Sequence, residues 1–328
     1  MKKYLSLVTA IILLLIVSTM PIASAQGFED SSKKKGGYVT KRIAVDSTLT
    51  IEKAADGRIL PVKNAKKLSD TQLNTILKHM KVNDDLISKM PLEVKQHFVS
   101  KGGVSVPITS KQKEYFYTSD GKRLLVTDEN REEINKIKQQ EAAKLNNSVQ
   151  ANNFSALSGP DLGSDGDGTF SGFSNLQYIG ETDKEKEYTY AEWFFYNKNV
   201  NYHYTDKIAH AWQSHTKSIA RSGSAQYYLF DKFHEMTVTT SHEGSVTGSS
   251  ASIKLPQTFF ESMFGLFYDD VRIPKTESGY TGKWVVKYAH PWTTVTPSVT
   301  IGPIGISFST FLGNVFEWEN TFTIGVDG

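Results

Sequence analysis

The chain has 328 residues, a formal net charge of +2 and no cysteine. That composition excludes disulfides, cysteine nucleophiles, thiolate metal ligands and lipid attachment through cysteine, and the small net charge gives no global drive toward nucleic acid or acidic lipid. The length suits two domains of roughly 150 residues each, or one large β domain.

The first predicted element is an export leader over residues 1–25. Lys2 and Lys3 precede an apolar run from Leu5 to Val17, Pro21 breaks it, and Ala23-Ser24-Ala25 supplies small residues for cleavage, with Ala23 and Ala25 as the recognised positions. The run falls short of the roughly 20 apolar residues of a membrane helix, and no comparable run follows, so no transmembrane segment is expected downstream. Leader and cysteine-free composition together resemble exported proteins of Bacillus-like bacteria, which implies a secreted, extracellular protein of a Gram-positive bacterium. Leu255-Pro256-Gln257-Thr258 begins like a wall-sorting signal, but Phe259 stands where glycine is required, so a released product is expected.

Residues 26–37 read as a flexible basic segment, with Lys33-Lys34-Lys35 and Gly36-Gly37. Residues 38–147 read as a small α+β domain, or as a pro-region removed after export. Short β pieces at Val39-Thr40 and Leu49-Thr50-Ile51 lie around the turn Asp56-Gly57. Ser69 with Gln72 has capping-box spacing, and Leu73, Ile76, Leu77 and Met80 make an apolar helical stripe. Asn83 caps a second short helix, and Pro91 opens a third that Gly102-Gly103 ends. Glu114–Thr118 and Lys122–Val126 flank Asp120-Gly121, a dipeptide that suits a tight primed hairpin turn. A charged helix follows over 129–145.

Residues 148–170 are polar, small and glycine-rich, which is linker composition. Residues 171–328 then carry all five tryptophans and read as strands over 188–196, 225–230, 236–240, 284–289, 298–308 and 316–326. One helix interrupts them. Thr258 caps it, Glu261 completes the box, and Phe259, Phe260, Met263, Phe264 and Phe267 share a face. The expected fold is therefore an α+β N-terminal region followed by a mainly antiparallel β-sandwich with one amphipathic helix.

Motifs with chemistry are few. His203, His210, His215, His234 and His242 lack zinc-site spacing, so no metal is expected. Asp161, Asp165 and Asp167 lie among glycines, but Gly163 and Gly172 stand where a calcium loop needs acids, which favours a solvated linker. Gly166, Gly168 and Gly172 do not match dinucleotide spacing, and no cofactor is expected. Glu192 with Asp269-Asp270 could form paired carboxylates. In 237–254, Met236, Val238 and Val246 share one parity and Ala251, Ile253 and Leu255 the other, so the phase flips near Gly248. That makes Gly248 the turn of a membrane-type hairpin, or places it in a soluble strand and loop. Phe259, Phe260, Met263, Phe264 and Phe267 would contact a surface or membrane if exposed, and would close a core if packed.

Three functions follow. The first is a non-enzymatic extracellular protein that binds a cell-surface or extracellular partner through the aromatic density of 188–228. The second is a membrane-acting toxin or bacteriocin-like protein using 237–254 and 259–267. The third is a secreted hydrolase using Glu192, Asp269, Asp270 or the histidines. Nucleic acid is not an expected partner of any of them.

Overall fold

The computed structural model describes residues 39–150, 170–241 and 247–325. The leader with Ala23 and Ala25, the basic segment 26–37, the acidic cluster at 161–167 and His242 lie outside them.

Local signals in the N-terminal half become local structure. Strands β1 (Val39–Ala44) and β2 (Thr50–Ala54) pair as a hairpin. Helix α1 (Asp70–His79) starts at a complete capping box, with the Gln72 amide donating to Ser69 Oγ at 3.2 Å and the Ser69 amide to Gln72 Oε1 at 3.0 Å. Asn83 caps α2 (Asp84–Ser88), and Pro91 precedes α3 (Leu92–Lys101), which stops at Gly102. Next come β3 (Val104–Val106), β4 (Thr109–Tyr117), β5 (Arg123–Val126) and α4 (Arg131–Gln150). The β4–β5 loop is wider than Asp120-Gly121 predicts. Tyr117 pairs with Arg123, and the Thr118 amide and hydroxyl close the intervening residues onto the Lys122 carbonyl.

The second half supplies β6 (Phe170–Glu181), β7 (Glu185–Tyr196), β8 (Thr205–Trp212), β9 (Lys217–Leu229), β10 (Lys232–Glu235), β11 (Val238–Ser241), β12 (Gly248–Lys254), β13 (Ser262–Pro274), β14 (Thr281–Pro291), β15 (Val299–Gly302), β16 (Gly305–Phe308) and β17 (Gly313–Thr323). Two antiparallel sheets result, ordered β10-β9-β13-β7-β6-β3 and β11-β12-β8-β14-β17-β4-β5. They face each other across an aromatic core that holds Tyr190 stacked on Trp284 at 4.6 Å, with Phe194, Tyr288 and Phe322 around them. The β-sandwich is as expected; its limits are not. Helices α1–α3 pack on the outer face of the six-stranded sheet against Trp193 and Leu266, and β15–β16 covers part of the other sheet's outer face through Val299, Ile301 and Ile306.

Two expectations are corrected. The division at 148–170 does not separate two folded bodies. Strand β3 pairs with β6, β4 pairs with β17 along its whole length, and the chain from Val39 on is one unit. Residues 148–150 belong to α4, and Phe170 already opens β6. Linker composition is a local property, whereas strand pairing is not. The predicted helix at 258–267 is instead an irregular stretch over 258–261 followed by the start of β13. Periodicity misleads there because β13 is covered on both faces. Phe267 points into the sandwich and Leu266 points toward α1–α3, so the run is apolar at nearly every position instead of alternating.

The 237–254 segment does form a hairpin, β11–β12, but Gly248 begins its second strand. Val238 pairs with Ile253 and Thr240 with Ala251, so the parity flip is what this register requires to keep one face inward. Gly248 itself sits where a Cβ would overlap the His210 carbonyl oxygen and Ile301. Gly248→Ala is expected to lower unfolding free energy by about 1–3 kcal/mol, read from urea denaturation, because the obstacle includes fixed backbone. An unchanged midpoint would show that β12 can shift freely.

Candidate functional site

Two places in the molecule concentrate unusual chemistry: a buried carboxylate–histidine cluster and an exposed aromatic end.

Glu192 on β7 and Asp269 on β13 share the inward face of the six-stranded sheet, since Phe267 pairs with Glu192 and Asp269 lies two residues further along. His210 comes from β8 in the opposing sheet and lies between them. Its Nδ1 is 3.0 Å from Asp269 Oδ2, and its Nε2 makes an ion pair with Glu192 Oε2. Trp284 Nε1 donates to Glu192 Oε1 at 2.6 Å, Ser218 Oγ to Asp269 Oδ1 at 3.0 Å, and Ser249 Oγ of β12 to Asp269 Oδ2. Burial alone would depress the imidazole pKa, but the Glu192 and Asp269 carboxylates override it and push His210 up to about 9. At neutral pH the group is an imidazolium held between two carboxylates. Each carboxylate oxygen already has a protein partner, and all three side chains are buried. The arrangement ties one sheet to the other and presents no group to an outside reactant.

The structure thus brings together Glu192, Asp269 and His210 and separates Asp270 from them. Adjacent strand residues face opposite ways, so Asp270 lies on the outer face, paired with Lys101 of α3 and accepting from Thr189 Oγ1 at 2.7 Å. The other histidines are dispersed. His203 contacts the Pro256 and Val200 carbonyls, His234 stacks on Tyr227 at 4.9 Å, and His215 is exposed in the β8–β9 turn. Among the described residues no group of three His, Asp or Glu side chains has metal-site geometry. Sequence reasoning passed over a second buried pair, His290 Nδ1 with Asp206 Oδ1 at 2.9 Å, whose other oxygen accepts from the Tyr288 hydroxyl. A signal for both clusters exists. Asp206 and His210 occupy the apolar phase of β8 with Ile208 and Trp212, as Glu192 does between Tyr190 and Phe194.

The aromatic density of 188–196 is core. Tyr188, Tyr190, Trp193, Phe194 and Tyr196 are all buried. Of the phenylalanine-rich set, Phe260, Met263, Phe264 and Phe267 are buried as well, while Phe259 is 60 % exposed. Two further exposed phenylalanines, which sequence reasoning did not single out, are Phe230 at 80 % and Phe233 at 59 % exposure. Leu229 pairs with Lys232, so Phe230 and Asp231 alone form the β9–β10 turn, with φ of 50° and 60°. A primed two-residue turn calls for Asn-Gly or Asp-Gly, and a phenylalanine there is strained. The turn is held firmly. The Glu261 amide donates to the Tyr228 carbonyl at 2.8 Å, the Phe230 amide to Glu261 Oε1 at 3.3 Å, and Tyr228 OH to Asp231 Oδ1 at 3.1 Å. Phe233 leans on Tyr228 at 5.0 Å and on Phe264 at 6.0 Å. Phe259 lies two residues before Glu261, on the chain that these bonds tie to the hairpin.

No family model and no curated protein matches the chain. Among solved structures, the Clostridium perfringens NetB toxin in its membrane-inserted form aligns with 49 % of this chain and 96 % of its own at 6 % identity and a TM-score of 0.28. AvmM, which catalyses macrocyclization in alchivemycin A biosynthesis, aligns with 43 % of this chain and 88 % of its own at 9 % identity and a TM-score of 0.18. Likeness of that degree carries no argument about function.

Proposed function

We propose that this chain is an exported, non-enzymatic protein that binds an extracellular surface through the aromatic end formed by Phe230, Phe233 and Phe259. The observation that carries this reading is Phe230, a large apolar side chain held 80 % exposed in a strained turn, with exposed Phe233 on the same hairpin and exposed Phe259 two residues before the Glu261 that bonds to the turn. Strain of this kind persists where a function retains it, and clustered exposed apolar groups mark interaction sites. Burying one such ring is worth about 1.5–3 kcal/mol, so three suffice for a measurable contact. The leader pattern of residues 1–25 supports an external location. A hydrolase reading gains no support from Glu192 and Asp269, whose oxygens are committed to protein donors inside the core.

The test is retention of the fluorescently labelled protein on intact bacterial and animal cells. The substitutions Phe230→Asn, Phe233→Thr and Phe259→Ser together are expected to reduce retention by about tenfold or more. Asparagine suits the positive φ at 230 and threonine suits a strand, so the fold should survive with its urea midpoint unchanged or raised. Equal retention of folded variant and parent would overturn the reading.

A further inference from the structure

We infer that the surface this end recognises is a lipid bilayer with zwitterionic headgroups, an inference that rests on the binding role proposed above. Three features select lipid. First, the most exposed rings are all phenylalanine, and the hydroxyl of the adjoining half-buried Tyr228 is engaged by Asp231, so the rings offer no hydroxyl or indole N–H of the kind that a sugar or a fixed protein pocket would hydrogen-bond. Second, Phe230 sits at the tip of a two-residue hairpin turn, and such a tip enters a fluid interface without needing a preformed cavity. Third, the charges beside the rings are of both signs. Asp231 and Lys232 adjoin Phe230, exposed Glu261 follows Phe259 and Phe260, and exposed Lys198 precedes Asn199, whose side chain accepts from the Phe260 amide at 3.0 Å. An anionic surface would be repelled by Asp231 and Glu261 as much as it was drawn by the lysines, whereas a headgroup carrying both an ammonium and a phosphate finds a partner for each. The rings then enter the boundary between headgroup and acyl chain while the charged neighbours remain at headgroup level.

The experiment is co-sedimentation of the full protein with phosphatidylcholine vesicles and with vesicles containing added phosphatidylglycerol. Phosphatidylcholine alone is expected to bind the protein, with less than about a twofold change on raising salt to about 0.5 M, and the triple phenylalanine variant should partition about tenfold less. Phe230→Asn alone should weaken partition severalfold with no loss of stability. No partition to phosphatidylcholine, partition unaffected by the phenylalanine variants, or binding confined to anionic vesicles and abolished by salt would each overturn the inference. Retention on cells through the same rings, without vesicle binding, would leave the binding role standing and reject lipid as the partner.

Discussion

Replacing His210 with alanine is expected to lower the unfolding free energy by about 3–5 kcal/mol, because it leaves the Glu192 and Asp269 carboxylates facing each other in the core without their cation. That is a large part of a typical total stability of about 5–15 kcal/mol, so the variant should be markedly sensitive to urea and heat. The parent carries a matching pH signature. His210 titrates near its ordinary value of 6.5 in the unfolded chain and at about 9 in the folded one. A raised folded value means that the native state holds the proton more tightly. The stabilisation is therefore complete below pH 6.5 and is lost as pH rises through about 9, amounting to a few kcal/mol in all. Urea midpoints at pH 6, 7.5 and 9.5 should fall for the parent across this window, while the difference between parent and His210→Ala narrows. A constant difference across that range would mean that His210 is neutral in the fold and that the cluster ties the sheets by hydrogen bonds alone.

The fragment 171–328, expressed by itself, is expected to show no cooperative unfolding transition. It retains most strands of both sheets but loses one edge from each. Strand β17 loses β4, whose nine residues all pair with it, and β6 loses β3. It also loses α1–α3, which cover Trp193 and Leu266 on the outer face of the six-stranded sheet. Uncovering a buried tryptophan alone approaches the roughly 3–5 kcal/mol of a tryptophan truncation, and the bared edges and neighbouring Phe173 and Phe195 favour aggregation. A sharp urea transition for the fragment, seen by far-ultraviolet circular dichroism, would show that residues 39–147 are an accessory to an independently stable sandwich. The same interlock bears on processing. Cleavage within 148–170 would cut the chain but leave β3 and β4 inserted in the sheets, so removal of the N-terminal region as a pro-region would require extracting strands from both.

The elements that could be read from the residues are those with local causes. The Ser69–Gln72 capping box, the Asn83 cap, the stop at Gly102 and the aromatic-rich strand over 188–196 each act within a few residues, and each appears where the pattern places it. The helix expected at 258–267 failed for a non-local reason. Burial on both faces removed the alternation by which a strand is recognised, and the remaining phenylalanines happened to match helical spacing. The exposed aromatic end was invisible for a related reason. Phe230 and Phe233 differ in no local respect from Phe194, and only the pairing of Leu229 with Lys232 puts one at a hairpin tip and the other on an edge strand.

By itself the sequence determined the absence of disulfides, the short-range helix caps and turns, and the strand-rich character of the second half, since composition and neighbours within one turn or pleat are enough for those. Only the tertiary structure decided that β3 and β4 complete the two sheets, that Asp269 meets a histidine 59 residues away while Asp270 turns outward, and which phenyl rings remain in water. These outcomes depend on which strands become neighbours and in what register, and contacts across a sheet join residues whose separation along the chain leaves no trace in local pattern.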